Sequence, residues 1–423
     1  MMVCLAIVLF SACDMFDSPE QQGNLAITLE FPSSDSTAIR TGIQSKPVPE
    51  IRDFDRVHCT VTKSGSTVWD NDLTMGGEYF TTEITLDVGS GYSVRVLCYE
   101  SSQVTYLGSA SGITISGGQT TTVNVPITIL SFLTLLGSYD TPGTAHGVAV
   151  SGYYAYVADG WSGLCVVNIG NPANPVRVGY YDTPGYAQDV QVMGSYAYVA
   201  DLDSGFRVVN ISNPAVPVEV GYYRKNWLCY VGDLAVSGNY AYVADYYNGF
   251  LVVNIINPMN PVEVGYGNWP AYGVAVFGSY AFVCGSGGGL WVVNISNPAN
   301  PVEVGDCSMP EIPSAIAVLG SYAYVADGGA GLQVVNISNP SNPLAVGYCD
   351  TPGSAHAVAV LGGYAYVADH DAGLRVVDIS SPANPVEVGH YDSPGTAFGV
   401  AVSGNYAYIA DGDAGLQIIY IGP

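Results

Sequence analysis

The sequence predicts an all-β protein, a small immunoglobulin-like β-sandwich followed by a seven-bladed β-propeller. Three observations predict it. The string YAYVAD at 154–159 recurs, and the markers Asp159, Asp201, Asp245, Gly285, Asp327, Asp369 and Asp411 are spaced 42, 44, 40, 42, 42 and 42 residues apart. Each period holds four short apolar runs, the unit of a propeller blade. The composition agrees, because charged residues are only 11% while 51 glycines and 32 tyrosines suit short strands and tight turns.

The chain opens MMVCLAIVLFSACDMFD, an apolar stretch ending in Phe10-Ser11-Ala12-Cys13. It resembles the lipobox of bacterial lipoproteins, with Phe10 where Leu is usual and no basic residue ahead of it. That resemblance implies a signal peptide and lipobox over 1–13, with cleavage before Cys13 and a lipid on the Cys13 thiol. The stretch is too short for a stable transmembrane span. Residues 14–23 are polar and acidic and read as a linker.

From 24 to 130 hydrophobicity alternates with period two, the pattern of half-buried strands. Leu25, Ile27, Leu29 and Phe31 share one face; Val57, Cys59 and Val61 another; then Ile84, Leu86 and Val88; Tyr92, Val94, Val96 and Cys98; and Val123, Val125 and Ile127. Gly-Ser turns separate these runs, as in a small sandwich. Cys59 and Cys98 fall on the apolar register and point into one core. A disulfide in an oxidising compartment and two buried thiols both satisfy that placement.

The propeller spans 131–423. In its first repeat the runs are HGVAVSG (146–152), YAYVAD, GLCVVNIG (163–170) and PVRVGYYDT (175–183), the last reached through the turn NPAN. The second and third are apolar on both faces, as strands sandwiched between neighbouring blades must be, and the first is rich in Ala and Gly, which suits a narrow central channel. Third-type runs begin at Gly163, Gly205, Gly249, Gly289, Gly331, Gly373 and Gly415, but the last has no fourth run after it. LTLLGSYDTPG at 133–143 carries the ending of a fourth run, so strand 133–140 is expected to join the last blade and remove the ring's free edges. Cys165, Cys229, Cys284, Cys307 and Cys349 read as small core residues.

The third run carries a resemblance. LRVVD at 374–378, with LCVVN, FRVVN, FLVVN, LWVVN, LQVVN and LQIIY in the other repeats, resembles the name-giving string of the LVIVD-repeat family of bacterial surface propellers. The resemblance implies an extracytoplasmic, often surface-displayed propeller, placing this chain at the outer membrane or cell surface. It implies no reaction.

Charge narrows the partners. With 11 Lys+Arg against 36 Asp+Glu the formal net charge is −25, which disfavours nucleic-acid backbones and anionic lipid surfaces. Membrane contact is then expected only through the lipid anchor. The recurring aspartate reads as a structural peg, since a recurring residue explains recurring geometry; it is expected to accept hydrogen bonds from amides of its own loop. The D-x-D-x-G strings lack the later Glu and further oxygen ligands of a calcium loop. Asn168, Asn210, Asn254, Asn294 and Asn336 read as turn organisers, and the Asn-x-Ser strings at 210, 294 and 336 lie inside strands rather than at glycosylation loops.

A unique site belongs where the repeats differ, on the face carrying the second-to-third and fourth-to-first loops. Two sectors stand out there. Trp161, Trp227, Tyr246, Tyr247, Trp269 and Tyr272, with Arg224 and Lys225, suit stacking on a sugar or an interface hot spot. His146, His356, His370, Asp371 and Asp413 suggest a divalent cation near the channel mouth, against the plainer reading of solvated loop residues. No other cofactor is indicated. Nucleophile-elbow, phosphate-loop and HExxH strings are absent, and five basic residues in the propeller cannot easily build the arginine cluster of a sialidase-type site. The expected function is that of an envelope-anchored, monomeric surface protein whose propeller binds a protein or carbohydrate partner. The alternative is an extracytoplasmic hydrolase or lyase working through acidic residues of the same face.

Overall fold

A computed structural model of the chain describes residues 133–285 and 287–422, together with the strands of the N-terminal region at 22–30, 56–63, 66–72, 74–76, 79–81, 85–87, 89–100, 103–115 and 120–129. The chain falls into two compact units, Met1–Phe132 and Leu133–Pro423.

Seven described strands of the first unit form one sheet, ordered Ser66–Asp72, Arg56–Lys63, Gly89–Glu100, Gln103–Ile115, Thr120–Ile129, Gln22–Glu30 and Thr85–Asp87. Thr74–Gly76 and Tyr79–Thr81 pair separately. The first strand starts at Gln22, two residues inside the stretch read as linker, and runs parallel to Thr120–Ile129. Cys59 and Val61 are buried, as their alternating apolar register requires. Register sets Cys98 opposite Val57, two pairs along from Cys59. The Cys98 side chain lies outside the described residues, and so do Cys13, the leader and the packing that would make this sheet a sandwich.

The second unit is a seven-bladed β-propeller, with no helix among its described residues. Blade one is the antiparallel meander Gly147–Ser151, Tyr154–Ala158, Leu164–Asn168 and Val176–Tyr181. Blades two to six repeat it from Asp189–Met193, Val231–Ser237, Ala271–Phe277, Ala315–Leu319 and Ala357–Leu361. Blade seven holds Gly399–Ser403, Tyr406–Ala410 and Leu416–Tyr420, and Thr134–Tyr139 is hydrogen-bonded to Leu416–Tyr420 as its outer member. Inner strands neighbour one another from blade one to seven and back to one. Their small residues permit this: a Cβ on Gly399 would stand 2.4 Å from the His146 carbonyl oxygen of blade one.

The core lies between blades. Ala155–Ala158 and Leu164–Val167 are buried without alternation, because each face is covered by a neighbouring blade. Cys165, Val167 and Ile169 of blade one, for example, pack with Tyr408, Leu416 and Ile418 of blade seven. Each large apolar side chain so buried contributes about 1.5–3 kcal/mol. Cys165, Cys229, Cys284 and Cys349 belong to this core, and Cys307 is half-buried.

Two faces result. On one, the second-to-third loop of a blade bridges the loop entering the next, as at Gly160–Ala187, Gly328–Ala355 and His370–Ala397, and blade seven bridges to blade one at Gly412–Ala145. On the other lie the hairpins and the NPAN-type turns. There the Asn168 Oδ1 accepts from the Gly170 amide at 2.9 Å, and Asn210, Asn254, Asn294 and Asn336 do the same two residues on.

Candidate functional site

The recurring aspartate is a peg, but its partners differ from the sequence expectation. Asp159, wholly buried, accepts from the Thr141 hydroxyl at 2.6 Å and the Gly143 amide at 2.9 Å, both in the loop entering its blade. Asp369 repeats this with Thr351 and Gly353, and Asp411 with Ser393 and Gly395. The aspartate's own loop is closed by main-chain bonds instead, Asp159 N to Gly163 O and Ser162 N to Asp159 O, which leaves the carboxylate free to reach the other loop. Only Asp245 follows the expected pattern, taking the amides of Tyr247 and Asn248 at 3.0 Å. Burial pushes Asp159, Asp201, Asp369 and Asp411 above the ordinary carboxylate range, and their donors pull them partly back.

Blade four abandons the peg for an indole. A Cβ on Gly285 would lie 2.0 Å from Trp291, and one on Gly267 would lie 1.7 Å from Trp269. Both positions are glycine because two tryptophans, with ring centroids 6.5 Å apart, occupy the volume. Trp269 is therefore half-buried packing, not an exposed platform.

The rest of the aromatic sector divides. Tyr246 contacts Tyr247 at 5.0 Å and Tyr272 at 5.1 Å, and Tyr230 joins both Tyr246 and Tyr247. Trp227 and Tyr247 stand 77% and 58% exposed on this side. Arg224 hydrogen-bonds the Trp227 carbonyl at 3.4 Å. Lys225 is engaged elsewhere, 3.0 Å from Glu263 and 4.4 Å over the Tyr266 ring. Trp161, 74% exposed, belongs to the histidine sector instead, edge-on to Tyr186 at 5.2 Å.

That sector surrounds the channel mouth. His146 stacks on Phe398 at 4.5 Å, and its Nε2 is 2.5 Å from the Tyr186 hydroxyl. His356 meets Phe398 edge-on at 5.5 Å and stacks on His370 at 5.2 Å. Phe398 of blade seven thus joins histidines of blades one and six, a link not visible in the sequence spacing. Burial, then the charge of His356, pushes His146 down to about 4; burial also lowers His356. Both shifts favour the neutral ring. Asp371 lies 3.1 Å from His370 Nδ1, while Asp413 accepts from Thr144. Among the described residues no group of three or more His, Cys, Asp or Glu side chains is placed to hold a metal ion.

His370 has a φ of 51°, where Gly160, Gly328 and Gly412 take φ values of 57°, 55° and 55° in their blades. A non-glycine residue there is strained. Leu202, at φ 38°, is the other case.

Inside the channel the repeat is broken once. The ring of positions Gly147, Asp189, Asp233, Gly273, Ala315, Ala357 and Gly399 is small and apolar except at two adjacent carboxyls. Burial and then the Asp233 charge push Asp189 well above the usual carboxylate range, and burial raises Asp233 as well. Asp233 accepts from the Leu234 amide at 2.7 Å and, across the blade boundary, from the Val274 amide at 2.8 Å. Sequence reading missed this pair, although two acids in an Ala/Gly run were a departure of the kind that marks a site.

The LVIVD repeat matches residues 142–183, 184–225, 229–268, 270–309, 313–351, 352–393 and 394–421. No curated protein matches the chain in sequence. Among solved structures, a chain of the mitotic checkpoint complex is similar with a TM-score of 0.58 at 12% identity, over 69% of this chain and 95% of that one. The β-propeller domain of Cps50 (Swd1) from Myceliophteria thermophila gives 0.56 at 10% identity, over 69% and 100%. The computationally designed protein Ika8 gives 0.51 at 10% identity, over 81% and 95%. At such identities the likeness is one of fold alone.

Proposed function

Since the chain belongs to the LVIVD-repeat family, we propose that its propeller is a binding module whose loop face engages a protein or carbohydrate partner at the cell surface. One observation carries the reading: Trp161, Trp227 and Tyr247 stand mostly exposed on the face where the repeats diverge. Large aromatics in water are the usual anchors of interfaces and of sugar stacking. Cys13 as a lipid anchor, residues 24–130 as a sandwich spacer and 131–423 as the displayed ring complete the proposal. The pairing of Thr134–Tyr139 with Leu416–Tyr420 serves, in this reading, to close the ring without a free edge.

The test combines a glycan array and purified envelope proteins with Trp161→Ala, Trp227→Ala and Tyr247→Ala. At least one variant should lose tenfold or more of the binding seen for wild type, and undiminished binding by all three would refute the reading. Cys13→Ala should move the protein out of the membrane fraction.

A second reading, an extracytoplasmic hydrolase or lyase, draws on the adjacent carboxyls of Asp189 and Asp233, both raised by burial. The main-chain donors held by Asp233 favour a structural tie between blades.

A further inference from the structure

Blade one has a hollow where its sisters have a side chain. Two residues after the glycine that opens the third run stand Arg207, Leu251, Trp291, Gln333, Arg375 and Gln417 in blades two to seven, but Cys165 in blade one. Beside Cys165 lies a cavity of about 280 Å³, bordered by Asp159, Trp161, Arg177, Tyr180 and Asp182.

Blade two displays what fills the corresponding place. Arg207 Nε donates to Asp201 Oδ2 at 3.1 Å, its Nη1 is 3.8 Å from Glu219, and its guanidinium lies 4.9 Å from the Tyr222 ring centroid. Asp159 and Tyr180 are the blade-one counterparts of Asp201 and Tyr222. Asp201 Oδ2 receives two donors, the Gly185 amide and Arg207. Asp159 Oδ2 receives the Gly143 amide alone among the described residues. The acceptor position that Arg207 uses is therefore vacant on a wholly buried carboxylate facing the cavity.

We infer that this hollow receives a guanidinium, an arginine side chain offered by a partner protein. The inference rests on the binding reading of the loop face and selects a protein over a glycan. The cavity is below the roughly 300–1,000 Å³ of sites that enclose whole small ligands, and is side-chain sized. Asp159 and Asp182 against Arg177 leave one formal negative charge, which a guanidinium neutralises. Trp161 offers an exposed face for a planar cation, and the chain's net charge of −25 draws basic partners. Arg177, 5.3 Å over the Tyr180 ring, stands where blade two has Glu219 and tempers the affinity. The forked, planar donor set selects arginine over lysine.

The experiment titrates the full chain with N-acetyl-argininamide and N-acetyl-lysinamide, read by ligand-detected NMR. Wild type should bind the arginine compound at one saturable site and the lysine compound at least fivefold more weakly. Cys165→Arg, which supplies the blade-two side chain in place, should lose tenfold or more. Arg177→Glu should tighten binding severalfold, and Met259→Ala, on the opposite turn face, should leave it unchanged. Absence of saturable argininamide binding overturns the inference, as does weaker binding by Arg177→Glu, a surface change that tests the idea even if Cys165→Arg fails to fold. Full partner binding by Cys165→Arg alongside loss in Trp227→Ala would overturn the guanidinium site and leave the loop-face reading standing.

Discussion

The Asp159 carboxylate accepts the Thr141 hydroxyl at 2.6 Å across 18 residues of chain. Thr141 follows the strand Thr134–Tyr139, which pairs within blade seven, whereas Asp159 directly follows the second strand of blade one. The bond therefore stitches one blade to the next where the chain passes between them. Asp159→Ala leaves the Gly143 amide and the Thr141 hydroxyl without this acceptor, so it should cost about 2–4 kcal/mol in urea unfolding. Asp159→Asn, which keeps an acceptor, should cost less.

Blade five lacks the hydroxyl. Met309 stands eighteen residues before Asp327, where blades one, six and seven have Thr141, Thr351 and Ser393, and Asp327 Oδ1 is buried without a hydrogen-bond partner. Burial pushes Asp327 up to about 6. The folded value lies above the ordinary value near 4, so wild type should lose stability relative to Asp327→Asn as pH rises from about 4 through 6. Met309→Thr supplies the missing donor and should recover about 1 kcal/mol at pH 7. Thermal melts at pH 4, 5, 6 and 7 check both.

Asp189 carries the same sign. Its folded value is raised well above the usual range, so it adds no penalty while protonated and an increasing one as pH climbs. Asp189→Asn keeps a donor toward Asp233 and should melt higher than wild type, with a gap that widens as pH rises above the ordinary carboxylate value. A pH-independent gap would show that the Asp189 carboxyl is not raised in the folded state.

Leu202 and His370 hold left-handed backbone that blades one, five and seven give to Gly160, Gly328 and Gly412. Leu202→Gly should stabilise the propeller by about 1 kcal/mol, measured by urea denaturation. His370→Gly relieves the same strain but removes the ring stacked on His356, so its gain should be smaller.

The seven blades were legible because each must repeat one geometry, which fixes a period near 42 residues and an apolar second and third run. The peg was legible as a residue but not by its partners. The signal was nevertheless present: a hydroxyl residue and then a glycine recur 18 and 16 residues ahead of Asp159, Asp369 and Asp411. Which loops meet around the ring was not legible. Trp161 approaches Tyr186 of the next blade, and Phe398 brings His146 and His356 together, contacts set by closure rather than by spacing. Trp269 looked like a free platform until Gly267 and Gly285 revealed the volume that it shares with Trp291.

The central claim is that the loop face, not the turn face, meets a partner. A photoreactive benzoylphenylalanine at Tyr247, on the loop face, can be compared in the producing cells with one at Met259, 72% exposed on an NPMN turn of the other face. The account predicts a discrete cross-linked adduct from position 247 and none from 259. Adducts from 259 alone, or equal labelling from both, would contradict it.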